Sequence, residues 1–89
     1  MKNKVAFERA LGGHHAPVIW ERLANGRPAS VRVLCHLIRP DLAEATHRAQ
    51  QQRVGAVVAS LNSLLERHGT GHVIAPGRPR GTYQLFRRS

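Results

Sequence analysis

Amide, hydroxyl and guanidinium side chains recur along residues 50–67, and these are the groups that pair with the edges of nucleic-acid bases. Asparagine and glutamine pair bidentately with adenine, arginine pairs with guanine, and an alanine methyl group contacts that of thymine. If this stretch forms a helix that enters a major groove, the side chains expected near bases are Gln50, Gln51, Arg53, Ala56, Ser60, Asn62 and Ser63. Such chemistry requires a helix with one free face.

Arginines are spread through the rest of the chain. The 14 Lys and Arg residues outnumber the 5 Asp and Glu residues, which gives a formal net charge of +9 and a pI near 11.7. Such a charge favours polyanionic partners, and because the cations recur in every segment we expect folding to assemble them into a patch. Arg78 and Arg80 lie in a Pro/Gly turn suited to a minor groove. The residues expected to contact phosphates are Arg27, Arg32, Arg39, Arg48, Arg67, Arg78, Arg80, Arg87 and Arg88.

The other reactive side chains do not form a catalytic or metal-binding set. The one cysteine, Cys35, lies in an apolar stripe, where a thiol is normally inert, and the five acids are scattered. His68 and His72 are four residues apart, but two glycines separate them and no second thiol or carboxylate pair completes a tetrahedral set. The sequence therefore predicts no enzyme, no metal, no cofactor and no small-molecule substrate.

Composition also bears on location and on the kind of partner. A lone cysteine cannot form an internal disulfide, so a reducing, cytoplasmic setting is expected. No apolar run approaches the length of a membrane span, no long apolar segment follows the basic first residues, and no membrane partner is predicted. The few aromatic residues offer no stacking platform for RNA.

Residues 50–67, which carry the amide and hydroxyl side chains described above, are predicted to form a helix. Apolar residues recur there at steps of three and four, as in a helix with one buried face. They are Val54, Val57, Val58, Leu61, Leu64, Leu65 and His68. Gly69 suits the left-handed position just past a helix end, and Arg67 favours the C-terminal end of the helix dipole. We take residues 50–68 as the structural centre of the chain.

Shorter elements surround this helix. Residues 4–11 favour a short helix, with a strand as the alternative, and residues 16–25 favour a helix that Pro17 begins. Ser30 is a suitable N-cap for a third helix, which Pro40 ends. The β-prone runs 72–75 and 82–86 flank the turn 76–81 and predict a hairpin.

The start of the long helix is ambiguous. Asp41 is able to cap a short turn over residues 42–46, followed by a separate helix. Because no glycine or proline interrupts residues 41–68, a single helix is the alternative. We favour a break, since one helix of that length would extend beyond the small body on which it must pack.

The order of these elements resembles that of a known family. The segment GRPASVRVL at 26–34 looks like the turn and second-helix start of the winged-helix effector domain of response regulators of the OmpR/PhoB type. Val54, Val58, Leu61 and Leu65 resemble the core side of its recognition helix, and Ile74 with RGTYQL at 80–85 is similar to its closing wing. The resemblance covers about residues 16–86. It implies a three-helix core with a C-terminal β-hairpin wing.

The expected architecture is a single winged helix-turn-helix domain of mainly helical α+β class. Residues 1–15 form an N-terminal extension, 16–68 the helical core, 72–86 the wing hairpin and 87–89 a basic tail. The order of a long helix and a basic wing, together with the net charge of +9, predicts double-stranded DNA as the partner and a small transcriptional regulator of a bacterium or phage. The DNA-binding set is Gln50, Gln51, Arg53, Ala56, Ser60, Asn62, Ser63, Arg67, Arg78 and Arg80.

The exposed side of the long helix departs from that family, and this opens an alternative. Where the family has arginines and lysines, the outer positions here are small or uncharged: Gly55, Ala56, Ala59, Ser60, Asn62 and Ser63. A low, smooth strip permits close approach of another backbone. The alternative hypothesis is a protein-interaction module, either a regulator or inhibitor of a larger partner or a homodimer, that uses the face from Gly55 to Ser63.

Overall fold

One long helix lies at the centre of the structure, a computed structural model that describes residues 1–88. About half of the chain is helical and three short strands form one antiparallel sheet, so the chain is an α+β protein. The elements in chain order are α1 (Lys4–Arg9), α2 (His15–Leu23), β1 (Ala29–Ser30), α3 (Val31–Ile38), a 3₁₀ turn (Pro40–Leu42), α4 (His47–Arg67), β2 (His72–Pro76) and β3 (Thr82–Arg87).

Helix α4 begins and ends on local signals. The hydroxyl oxygen of Thr46 accepts a hydrogen bond from the Ala49 amide at 3.2 Å, which satisfies one of the free donors of the first turn. At the other end Gly69 has φ of 60°, a left-handed conformation in which a side chain is strained. The break before α4 is confirmed and the single helix over 41–68 is wrong. The helix starts at His47, three residues earlier than Gln50.

The sheet contains one strand that the sequence did not predict. Residues 27–29 were expected only as a turn, yet Ala29 and Ser30 pair with Tyr83 and Thr82 and form β1. The hairpin strands β2 and β3 pair in register from His72↔Arg87 to Pro76↔Tyr83, and the strand order is β1-β3-β2. The hairpin prediction is therefore confirmed, and β3 is the central strand.

The core is aliphatic with one aromatic pair. All four helices and the sheet contribute to it, and its buried members are Phe7, Ile19, Trp20, Leu23, Ala29, Val31, Leu34, Cys35, Ile38, Val54, Val58, Leu61, Leu65, Ile74 and Leu85. The rings of Phe7 and Trp20 meet edge-to-face with centroids 4.7 Å apart. The predicted burial of the Cys35 thiol is confirmed. Among residues 1–88 no helix is both long and apolar enough to cross a lipid bilayer.

The two ends of the chain lie against the main body. Residues 4–9 are helical, so the alternative of a strand there is wrong, and Phe7 is fully buried. The Asn3 side-chain amide donates to the carbonyl oxygen of His68 at 2.8 Å, at the C-terminal end of α4. Of the expected basic tail, Arg87 belongs to β3 and the Arg88 amide donates to the Gly71 carbonyl at 2.7 Å. Ser89 lies outside the described residues.

A single side chain joins α4 to the edge of the sheet. Asn62 donates from Nδ2 to the carbonyl oxygen of Ile74, and its Oδ1 accepts from the Ile74 amide, both at 2.8 Å. Ile74 belongs to β2, an edge strand whose outward backbone groups have no neighbouring strand. The primary amide takes the place of one peptide group of that missing strand.

Asn62→Ala should lower the free energy of unfolding by about 2 kcal/mol, because it leaves one donor and one acceptor of a buried residue without partners. Urea denaturation followed by circular dichroism measures the change, and hydrogen exchange should become faster at the Ile74 amide.

Ser63→Ala is the matched control for that substitution. Ser63 is the exposed neighbour of Asn62 on the same helix, so its truncation should change stability by less than about 0.5 kcal/mol. If Asn62→Ala lowers the free energy of unfolding no more than Ser63→Ala does, the Asn62 amide does not hold β2 against the helix.

Candidate functional site

A row of exposed residues runs along α4 on the side opposite the core. Steps of three and four residues align Arg48, Gln52, Ala56, Ala59 and Ser63, and all five are exposed. We call these five residues the outer row. Its middle is small and uncharged, so the helix backbone is accessible to close approach along about three turns.

Two of the predicted base-contacting residues are not available for that role. Gln50 is only 4 % exposed, and its amide donates to the carbonyl oxygens of Leu42 and Ala43 at 2.9 and 3.4 Å. Asn62 is held by Ile74 through both atoms of its amide group. Both expectations are corrected, since these amides satisfy backbone groups of the fold and face away from the outer row.

The other predicted residues remain exposed. Ala56 and Ser63 belong to the outer row, and the remaining members Gln51, Arg53, Ser60 and Arg67 are exposed beside it. The Ser60 hydroxyl donates to the carbonyl oxygen of Ala56 at 3.3 Å, one turn earlier on the helix. The predicted set therefore lies partly in the outer row and partly on both of its flanks.

Sequence reasoning missed Gln52, which lies in the outer row. The buried residues Val54, Val58, Leu61 and Leu65 define one side of α4. Counting back one turn from Val54 places Gln50 on that buried side, while Gln52 falls nearly opposite to it. The apolar spacing alone therefore indicates that Gln52, and not Gln50, lies on the exposed side of the helix.

The hairpin turn lies beside the N-terminal end of α4. The Gly81 carbonyl accepts from the Val31 amide at 2.8 Å, and a Cβ atom at Gly81 would lie 3.4 Å from Cε1 of His47. Further along the hairpin, a Cβ atom at Gly55 would lie 3.6 Å from the Tyr83 hydroxyl. The hairpin therefore borders the outer row on one flank, and Gly55 belongs to that contact rather than to a free strip.

The turn itself is held in one shape. The Thr82 hydroxyl donates to the Pro79 carbonyl at 2.7 Å, and the Gly77 amide donates to the Thr82 carbonyl at 3.0 Å. A Cβ atom at Gly77 would collide with the Thr82 hydroxyl, so a larger residue there would displace that side chain from its hydrogen bond to Pro79. Arg78 and Arg80 are exposed on this braced turn.

Positive charge around α4 is largely uncompensated. In the described part of the chain, one ion pair is formed, between Arg39 and Asp41, and the other thirteen of the 14 Lys and Arg side chains have no carboxylate within 4.0 Å. Arg39 donates from Nε at 2.9 Å and from Nη2 at 2.8 Å to the two carboxylate oxygens. This bidentate contact lowers the pKa of Asp41 and occupies the Arg39 guanidinium, which was expected to contact phosphate.

The histidines do not gather around one point. Within residues 1–88 no three His, Cys, Asp or Glu side chains come together in a group able to hold a metal ion. His72 Nδ1 lies 3.1 Å from the carbonyl oxygen of Thr70, which is only an acceptor, so that nitrogen donates.

Comparison with known proteins adds no relative. No family model, no curated protein and no solved structure matches the chain. The resemblance of residues 16–86 to response-regulator effector domains therefore rests on sequence motifs alone.

The Arg39–Asp41 pair gives a pH prediction. Because the folded state lowers the pKa of Asp41, the pair contributes stability above the unfolded value of about 3.9 and loses it as pH falls through the folded value. A carboxyl ¹³C NMR titration should find the Asp41 midpoint below that value. Arg39→Gln should move the midpoint upward, whereas Arg48→Gln, which removes an arginine without this contact, should not. The same midpoint in wild type and Arg39→Gln would refute the assignment.

Proposed function

We propose that the chain is a winged-helix domain that binds double-stranded DNA and acts as a small bacterial or phage transcriptional regulator. Its element order supports this proposal, because α2, β1, α3 and α4 are followed by a hairpin, and β1 adds to that hairpin beside β3. In a winged helix-turn-helix, α4 is the recognition helix and the turn between β2 and β3 is the wing.

The outer row is the observation that carries the proposal. A surface helix facing only water usually displays long charged side chains, but the middle of this one displays Gln52, Ala56, Ala59 and Ser63. A major groove about 12 Å wide admits a helix, and small side chains allow its backbone to come close to the base edges. Apart from Arg48, which begins the row, the unpaired arginines of the described residues lie around it.

The proposed contacts fall into two groups: those with phosphates position the protein on the duplex, and those with base edges read the sequence. Arg48 at the start of α4, Arg78 and Arg80 in the turn, and Arg67 near the helix end are exposed cations suited to phosphates. Gln52 is the amide in the row able to pair bidentately with adenine, and Gln51 and Arg53 are exposed on either side of it. Affinity in this arrangement comes mainly from the arginines.

Binding of a labelled duplex should weaken steeply as salt rises, because each neutralised phosphate releases counterions and contributes a slope of about −0.9 in log K against log salt. Arg78→Ala with Arg80→Ala should weaken binding to all sequences alike and reduce the magnitude of that slope by about 2. Fluorescence anisotropy across a salt series measures both quantities.

The control for this double variant removes the same charge elsewhere. Arg9→Ala with Arg22→Ala also lowers the net charge by two, but these exposed arginines lie on α1 and α2. This control variant should change the salt slope much less than Arg78→Ala with Arg80→Ala does. If wild type binds no duplex at low salt, the proposed function fails. If both double variants weaken binding equally, the turn has no special part in it.

A protein partner is the alternative that the same face supports. Ala56 and Ala59 would allow the backbone of another helix, or of a second copy of the chain, to pack closely on α4. In that case the positive charge would match an acidic partner surface.

Ala59→Arg separates these two functions. A long cation in the middle of the outer row should preserve or strengthen duplex binding, because it adds attraction to phosphates. The same side chain should abolish close packing against another helix, since it fills the space that alanine leaves. Duplex anisotropy and sedimentation of the protein alone measure the two effects. A variant that loses the self-association of wild type would favour the protein partner, whereas one that keeps duplex binding would favour DNA as the ligand of this face.

A further inference from the structure

A second group of cations lies at the opposite end of α4, where the chain leaves the helix and enters β2. Lys2, His72, Arg87 and Arg88 line a hollow of about 630 Å³ together with the backbone of Gly69 to Gly71. We call these four side chains the helix-end cluster. None of them belongs to the outer row or to the hairpin turn.

The backbone beneath the cluster is firmly held. The Lys2 amide donates to the Thr70 carbonyl at 3.3 Å, and the Arg88 amide donates to the Gly71 carbonyl at 2.7 Å. Thr70 is 1 % exposed, and its hydroxyl donates to the Leu65 carbonyl at 3.0 Å. His72 and Arg87 are partners in the β2–β3 register. Three segments distant in sequence are thus fixed around one hollow, which preorganises its charge.

The chemistry of the hollow fits a phosphate group. Its lining, taken from residues 1–88, contains two arginines and a lysine but no carboxylate, and none of these three cations forms an ion pair in that range. Because His72 Nδ1 donates to the Thr70 carbonyl, the neutral ring has only an acceptor left at Nε2, and the three cations supply the charge of the hollow. Arginine binds phosphate oxygens through two parallel hydrogen bonds, and lysine adds a point charge.

Distance separates this cluster from the hairpin turn. Gly81 of the turn adjoins His47, the first residue of α4, whereas the cluster adjoins the segment that follows its last residue. The two groups lie at opposite ends of the hairpin, whose paired strands run from His72↔Arg87 at the cluster to Pro76↔Tyr83 beside the turn. At about 3.3 Å per residue, the six residues of β3 span about 20 Å. One phosphate group cannot contact both sets of cations.

We propose that the helix-end cluster is a second phosphate-binding site, and that it holds the phosphodiester backbone of DNA at the end of the hairpin opposite to the phosphates held by Arg78 and Arg80. The assignment of DNA as its ligand rests on the proposed function. The backbone belongs either to the duplex bound at α4 or to a second duplex. The chemistry is the same in both cases, and capture of a second duplex distinguishes them.

Lys2→Ala with Arg88→Ala tests the site without altering a residue of any helix or strand. On a duplex of about 20 bp, or two turns, the variant should bind on the order of tenfold more weakly than wild type at moderate salt, with a slope smaller by about 2. Arg87→Ala with Arg88→Ala should repeat the result, and Arg9→Ala with Arg22→Ala is the charge-matched control.

A second duplex would give a different pattern. Protein bound to an immobilised duplex would then capture a free labelled duplex, and the Lys2 and Arg88 variant would lose this capture while binding a single duplex as wild type does. Either pattern supports the site. A variant that matches both wild type and the control in duplex binding and in capture overturns it.

Inorganic pyrophosphate tests the cluster independently of DNA. In a ¹H–¹⁵N NMR titration of the whole chain, pyrophosphate should shift the amides of residues 69–72 and 87–88, and Lys2→Ala with Arg88→Ala should remove these shifts. Shifts in a protein that binds no duplex would refute the proposed function and leave the phosphate site intact. Duplex binding by α4 without any such shift would overturn the site and leave the proposed function intact.

Discussion

The contact on which the rest of the structure depends is the pair of hydrogen bonds between the Asn62 amide and the backbone of Ile74. Strand β2 lies at the edge of a three-stranded sheet, and its outward peptide groups would otherwise face no partner. Asn62 supplies both a donor and an acceptor at 2.8 Å, so the hairpin is fixed against α4 at a defined register. The position of the turn that carries Arg78 and Arg80 relative to the outer row follows from this contact. Asn62 thus determines the geometry of the fold, because both atoms of its amide are engaged by Ile74.

The need to satisfy backbone groups also explains why the Gln50 side chain is buried. The carbonyl groups of the 3₁₀ turn and its neighbour need donors, and the buried Gln50 amide provides them for Leu42 and Ala43. These two hydrogen bonds hold the segment before α4 against the helix. Two of the amides best suited to read bases are used in this way to satisfy backbone groups within the chain. Side chains able to pair with bases are consequently sparse on the exposed side of α4, where Gln52 lies in the outer row and Gln51 and Arg53 lie beside it.

Local signals allowed most of the fold to be predicted, whereas side-chain roles depended on tertiary contacts. The cap at Ser30, the stop at Pro40 and the glycine at 69 act within a few residues, so they are legible in sequence. Strand β1 was missed because two residues have no periodicity, and Ala29 and Ser30 become a strand only through pairing with β3. The apolar stripe of the helix was sufficient to predict the burial of Gln50. The hydrogen bonds of Asn62 could not be predicted in this way, because they depend on where the hairpin places Ile74.

Charge placement follows from how the chain folds around α4. The helix brings cations to both of its ends, with Arg78 and Arg80 near the first turn and the helix-end cluster beyond the last, while the outer row between them is nearly neutral. In a protein with net charge +9, repulsion between like charges opposes compaction, and placing the two groups at opposite ends of the hairpin, about 20 Å apart, reduces it. A ligand that relieves this repulsion at both ends at once must carry negative charge over at least that distance. The regularly spaced phosphates of DNA, the ligand in the proposed function, meet that requirement.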